Sequence, residues 1–205
     1  MKEQDIIKLF ERIILPFSIL RLIPHLIIFN VHKNKSIIKY DIERWLSIRK
    51  LTNRYSTQIG FLYLMTFLPE FRNLYYYRIG FIKHILKYLC RPINTLFITA
   101  RNGIGPGLFI QHGFATIIAA DSIGKDCWVN QQVTIGFSSD IDCPILEDNV
   151  TIRAGAKVIG AITIGKNSEV GANAVVVKNV PENCTVVGVP AYIVRRNGIK
   201  TRENL

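Results

Sequence analysis

Aliphatic residues recur at Leu146, Ile152, Val158, Ile164, Val170 and Val176, one at every sixth position. A second register, four places further on, holds Val150, Ala156, Ile162, Ser168, Ala174 and Val180, and glycine follows the aliphatic at Gly165 and Gly171. Helical burial returns every three to four residues and a half-buried strand alternates every two, so neither produces a period of six. A strict six requires a chain that runs straight briefly, turns a corner and repeats. Such units stack as a parallel β-helix, each a short strand and a turn, with three units closing one triangular coil. The aliphatic side chain points into the prism, the small residue fits the corner, and glycine relieves the tight backbone there.

The register extends backwards through Ile98, Ile104 and Ile110, then Ile117, Ile123, Val129 and Ile135, with one extra residue between Ile110 and Ile117. Between Ile135 and Leu146 the spacing is eleven, which extrudes five residues within Gly136–Ile145 as a loop. Four to five coils are expected. A solenoid admits insertions only outside its coil, and loops on a rigid scaffold are where chemistry is placed.

Residues 1–91 have another character, rich in Ile, Leu, Tyr, Arg and Lys and poor in glycine. Asp5–Leu15 reads as an amphipathic helix with Ile6, Leu9, Phe10, Ile13 and Ile14 on one face, broken into pieces by Pro16 and Pro24. Further helices are expected over Ile37–Lys50, Gln58–Phe67 and, past Pro69, Phe71–Leu89. The expected organisation is an α-helical N-terminal domain over 1–91, a β-helix over 92–191 with its loop at 136–145, and a basic tail or cap over 192–205. Ile13–Val31 is nearly long enough to span a bilayer, but Arg21, His25, Pro16 and Pro24 lie within it. A soluble helix is the reading, with peripheral membrane contact as the alternative.

The formal charge of +11 favours anionic partners, such as a phospholipid surface or a phosphorylated coenzyme. The dispersed cations and the lack of any recognised module argue against nucleic acid. Cys90, Cys127, Cys143 and Cys184 form no CxxC pair and read as reduced thiols of a cytoplasmic protein, one that could sit at the inner face of a membrane. Met1–Glu11 carries charges of both signs and has no cleavable-signal pattern.

Of the four histidines, His25, His32, His84 and His112, only His112 falls within the repeat, two residues after the inward Ile110 and just before the insertion. A displaced corner of a rigid coil holds an imidazole outward in a fixed pose, as a general base requires; a surface histidine stacked on its neighbours is the competing reading. One histidine does not make a metal site, so no metal is expected. The glycines of Gly103-Ile104-Gly105-Pro106-Gly107 are in phase with the repeat and read as corners.

From Ile98 to Arg196 the sequence resembles the hexapeptide-repeat acyltransferases, and within them the serine acetyltransferase branch. The resemblance rests on Gly105–His112, Gln132–Gly136, Ala154–Gly160, Gly171–Val176 and Val187–Ala191. It implies a left-handed β-helix, acetyl-CoA as donor and no metal. It also implies a homotrimer with active sites between adjacent prisms, or a dimer of such trimers paired through the helical domains. His112 matches the catalytic histidine, and a backbone N–H near Gly136 would meet the oxyanion. Ala154, Gly155 and Ala172 match turns that line the pantetheine arm, and Arg195, Arg196 and Lys200 would meet phosphates, unless they are simply a solvated tail.

The departures lie around the acceptor. The branch carries Asp-Ile-His-Pro ahead of the catalytic turn where this chain has Phe97-Ile98-Thr99-Ala100, and Asp-Arg-His-Pro in the loop where it has Ile141-Asp142-Cys143-Pro144. Without the loop arginine an amino-acid carboxylate loses a charge-assisted pair. Gln111, Asp142 and Cys143 are therefore expected to hold a neutral, hydroxyl-rich acceptor, and the sequence points to O-acetylation of a surface or capsular polysaccharide or its precursor. Glu70–Arg78 also resembles acetyltransferases of surface-polysaccharide clusters. Serine O-acetylation and a non-catalytic β-helix scaffold are the alternatives.

Overall fold

The computed structural model describes residues 3–139 and 141–205. The side chains of residues 3–12 and of Leu15 lie outside that description, and with them the expected face of Ile6, Leu9 and Phe10. The chain divides into two compact units, 1–92 and 93–205.

The first unit contains α1 (Glu3–Val31), α2 (Lys35–Ile48), α3 (Thr57–Phe67), α4 (Pro69–Ile79) and, after a 3-10 turn at Gly80–Ile82, the short α5 (Lys83–Leu86). Contrary to expectation, α1 runs unbroken through both prolines. Pro16 is exposed and Pro24 half-buried, while Leu22, His25 and Phe29 are buried on the other side. Packing of that side holds the helix despite each lost N–H, with Phe29 stacked 5.2 Å from Phe61 of α3. The expected fourth helix ends early, because Gly80 takes φ +62°.

Polar groups order this helical core. Arg72 Nε and Nη2 donate to the carbonyls of Met65 and Thr66, each at 2.6 Å, and so cap the C-terminal turn of α3. Arg78 and Asp41 form a buried ion pair at 2.8 Å. Tyr75 and Tyr76 are core residues, the first donating to His25 O at 2.8 Å and the second to Cys90 O at 2.5 Å.

The second unit is the solenoid. Its strands are β1 (Leu96–Ala100), β2 (Phe109–Ile110), β3 (Thr116–Ala120), β4 (Ser122–Ile123), β5 (Trp128–Val129), β6 (Thr134–Gly136), β7 (Ile145–Leu146) and β8 (Thr151–Ile152). There follow β9 (Lys157–Ile159), β10 (Thr163–Ile164), β11 (Glu169–Val170), β12 (Val175–Val176), β13 (Cys184–Val187), β14 (Tyr192–Arg196) and β15 (Ile199–Asn204). They pair in parallel as three faces of a prism, β1-β3-β6-β9-β12, β4-β7-β10 and β2-β5-β8-β11-β13. The first face stacks Ile98, Ile118, Ile135, Val158 and Val176. The second stacks Ile104, Ile123, Leu146, Ile164 and Val180. The third stacks Ile110, Val129, Ile152, Val170 and Val186. Five coils result, at the upper end of the expected range.

One register differs from expectation. The inward residue of β3 is Ile118, fully buried, whereas Ile117 is 44% exposed and stacks between Phe97 and Thr134. The turn after Ile110 therefore gains two residues rather than one, and the next corner recovers the phase by placing Ile123 only five residues on. Tyr192–Leu205, expected as a basic tail or cap, is mostly a hairpin: β14 pairs antiparallel with β13, and β15 pairs antiparallel with β14 about a turn at Asn197-Gly198, both with positive φ.

Candidate active site

His112 owes its pose to that two-residue insertion. Ile110 is buried and Phe109 sits edge-on against Trp128 at 4.6 Å, so the strand entering the corner is fixed. His112 then takes φ +65° and Ala115 φ +49°, left-handed conformations that cost a non-glycine residue on the order of 1 kcal/mol each. The Phe114 N–H bonds His112 O at 2.5 Å, and Phe114 O accepts from Gln132 N at 2.9 Å. The imidazole is consequently held outward and exposed on an immobilised backbone, with Gln111 Nε2 at 3.4 Å from its Nε2.

The corner that carries His112 continues coil by coil. Gln132 follows it, then Ala154-Gly155, whose Gly155 N–H reaches Gln131 O at 3.0 Å. Ala172-Asn173 comes next, with Asn173 N bonded to Ala154 O at 2.9 Å. A Cβ on Gly155, at φ +74°, would lie 1.9 Å from Asn173 Oδ1. The Asn173 side chain packs where a Gly155 Cβ would stand, and Ala154, Gly155 and Ala172 form a track of small residues along one edge, with His112 at its head. Lys157, which the motifs did not single out, donates from Nζ to Gln132 O at 2.7 Å and Thr134 Oγ1 at 3.2 Å beside this track.

Gly136, Asp142 and Cys143 lie elsewhere. They belong to the extruded loop at the far end of the β6 face, where Gly136 is four residues beyond Gln132, about 13 Å of extended chain. Within one chain the structure does not bring them to His112. Asp142 is occupied in shaping the loop: it accepts from the N–H groups of Ser138 and Ser139 at 2.7 and 2.8 Å and from the Ser138 hydroxyl. These bonds, the Ser138 hydroxyl first, hold its carboxyl below the usual carboxylate range. Cys143 is buried, 7% exposed, and presents no surface to an acceptor. Arg101 secures the same loop from the first coil, donating from Nη1 to Ile141 O at 2.6 Å with its guanidinium 5.6 Å from the Phe137 ring centre. Neither Arg101 nor Ser138 carried a motif signal, because their partners are set by coil stacking.

The expected phosphate contacts divide. Arg195 and Lys200 are exposed and directly opposed across the β14–β15 hairpin, a like-charge pair suited to an anion. Arg196 instead pairs with Glu203 at 2.6 Å. Among the described residues no cluster of three His, Cys, Asp or Glu side chains could hold a metal ion.

Residues 144–178 match the bacterial transferase hexapeptide (six repeats) family, in keeping with the three-faced solenoid. Within it, the similar proteins are serine acetyltransferases. The chain is 39% identical over 131 residues to that of Synechococcus elongatus, covering 62% of this chain and 54% of the relative, and 35% identical over 136 residues to that of Bacillus subtilis, covering 64% and 63%. It thus spans between half and two thirds of the length of these relatives. Among solved structures, serine acetyltransferase from Neisseria gonorrhoeae superposes with a TM-score of 0.65 at 26% identity, over 85% of this chain and 69% of that one. The enzyme from Brucella abortus in complex with coenzyme A gives 0.63 at 26%, over 84% and 72%. These likenesses overturn the polysaccharide acceptor expected from the altered loop: the relatives are named for serine, and kinship to capsular acetyltransferases has no support in them. The expectation failed because it took Asp142 and Cys143 for acceptor ligands, whereas one is consumed by the loop and the other buried.

Proposed function

We propose that this protein transfers the acetyl group of acetyl-CoA to the hydroxyl of serine, with His112 as general base. The observation that carries the reading is the His112 corner, a left-handed histidine at the head of a small-residue track, in a chain whose relatives are serine acetyltransferases. The imidazole removes the hydroxyl proton as the serine oxygen attacks the thioester carbonyl carbon. The tetrahedral intermediate then collapses by breaking the carbon–sulfur bond, and the departing thiolate takes the proton back from the imidazolium. The track of Ala154, Gly155 and Ala172 accommodates the pantetheine arm, and Arg195 with Lys200 meets the phosphates.

The loop of residues 136–145 belongs to the same site when three prisms associate side by side, so that the loop edge of one chain faces the His112 edge of the next. That arrangement supplies the acceptor contacts that one chain lacks, with Arg101 as a cation already standing on the loop. The test is coenzyme A release from acetyl-CoA with L-serine. Wild-type protein should turn over, and His112→Ala should lose on the order of 10²–10⁴-fold in kcat with little change in KM for acetyl-CoA. An equally active variant removes His112 from the chemistry.

A further inference from the structure

The charge of this protein is segregated. Residues 1–92 carry sixteen Lys and Arg against six Asp and Glu, a net +10, while residues 93–205 carry ten against nine, a net +1. The same helical unit leaves large apolar side chains in water. On α1, Ile13, Phe17, Leu20, Ile27 and Val31 are all exposed, and the spacings between them keep one helical face. Phe17 and Leu20 are 80% and 77% exposed. The opposite face, with Ser18, Leu22, His25 and Phe29, is the buried one. A second apolar row follows after α4, where Phe81, Ile85 and Tyr88 stand exposed at spacings of four and three, interleaved with Lys83, His84 and Lys87. Lys87 Nζ lies 5.4 Å from the Tyr88 ring centre.

An apolar face of this length is unusual on a monomer surface and marks a contact. Helices that carry such a face amid cations lie in the headgroup layer of a bilayer, apolar side down, with the cations among anionic lipids. No helix among the described residues is long and apolar enough to cross a membrane, which leaves the surface mode. Pairing of helical units, which the family resemblance allows, would bring a +10 unit against another, so a second copy is the poorer occupant of this face. We propose that the helical unit docks on anionic lipid bilayers through α1 and the Phe81–Tyr88 segment.

The test is co-sedimentation of the full chain with vesicles of phosphatidylglycerol and phosphatidylcholine, compared with phosphatidylcholine alone. Binding should require the anionic lipid and should weaken at least about tenfold between about 0.1 M and about 1 M salt, where the screening length falls from about 10 Å to about 3 Å. The double variant Phe17→Glu with Leu20→Glu should weaken it about tenfold or more, since two exposed apolar side chains leave the bilayer. Lys83→Gln with Lys87→Gln should weaken only the salt-sensitive part. Both variants should keep the wild-type helical spectrum and acetyl transfer, and the salt and lipid comparisons on wild type stand even if a variant fails to fold. No binding, or equal binding to neutral vesicles, overturns the proposal. So does a drop in solution mass without lipid in the Phe17/Leu20 variant, which would assign the face to a second copy.

Discussion

His25 makes the stability of the helical unit sensitive to mild acid. Its ring is fully buried in α1, with Nε2 at 2.9 Å from the Tyr76 hydroxyl. Tyr76 spends its own proton on Cys90 O, so Nε2 carries the hydrogen and Nδ1 is left bare. Burial is the main cause that lowers the His25 pKa to about 4; the carbonyls of Leu86 and Arg21 work in the other direction, and the charges of Arg21 and Arg72 reinforce the drop. The unfolded chain binds a proton near pH 6.5 and the folded one does not, so stability is full above that value. It then falls as pH drops from about 6.5 to about 4. Between pH 7 and pH 4.5 this one group removes about 2 to 2.5 kcal/mol, at 1.36 kcal/mol per pKa unit. Urea unfolding followed by the helical ultraviolet signal should show that loss in the wild type and a correspondingly flatter pH dependence in His25→Gln, which retains an amide donor for Tyr76. An equal slope in both proteins, or a His25 ring that titrates above pH 6 by NMR, would refute the reasoning.

Two further outcomes follow from polar groups in each unit. Asp41→Ala leaves the Arg78 guanidinium buried without its carboxylate at 2.8 Å, and should cost about 3–5 kcal/mol in urea unfolding. Asp142→Ala removes the acceptor that gathers Ser138 and Ser139, so the loop should be nicked faster by protease and the KM for serine should rise severalfold while the solenoid melts unchanged. Because its carboxyl is held low, the restraint is present above the ordinary carboxylate range and lost as pH falls through its depressed value.

The solenoid was legible in the sequence because a period of six has one architectural solution, and stacking then repeats the answer on every coil. What was not legible is instructive. At Ile117-Ile118 two identical side chains sit side by side, so spacing alone cannot say which turns inward. The choice is made by backbone pairing, with Thr116 N bonded to Thr95 O, and by two left-handed residues at His112 and Ala115. Continuity of α1 through Pro16 and Pro24 likewise depends on what packs behind the helix, which no local rule contains.

The candidate site divides along the same line. His112, Ala154, Gly155 and Ala172 were named through the family resemblance, and the prism carries them to one edge because each follows an inward residue of the third face. The acceptor contacts were not, since the loop departs from the repeat and its residues answer to one another: Asp142 to Ser138, Ile141 to Arg101 from the first coil. A missing arginine in the loop therefore excludes only one way of holding a carboxylate. In the proposed trimer the loop edge, about 13 Å of extended chain beyond Gln132, would meet the histidine of another copy, and assembly would then decide which side chains meet the acceptor. Matching four consecutive residues to a family pattern reads the local chain, and acceptor choice here is not a local property.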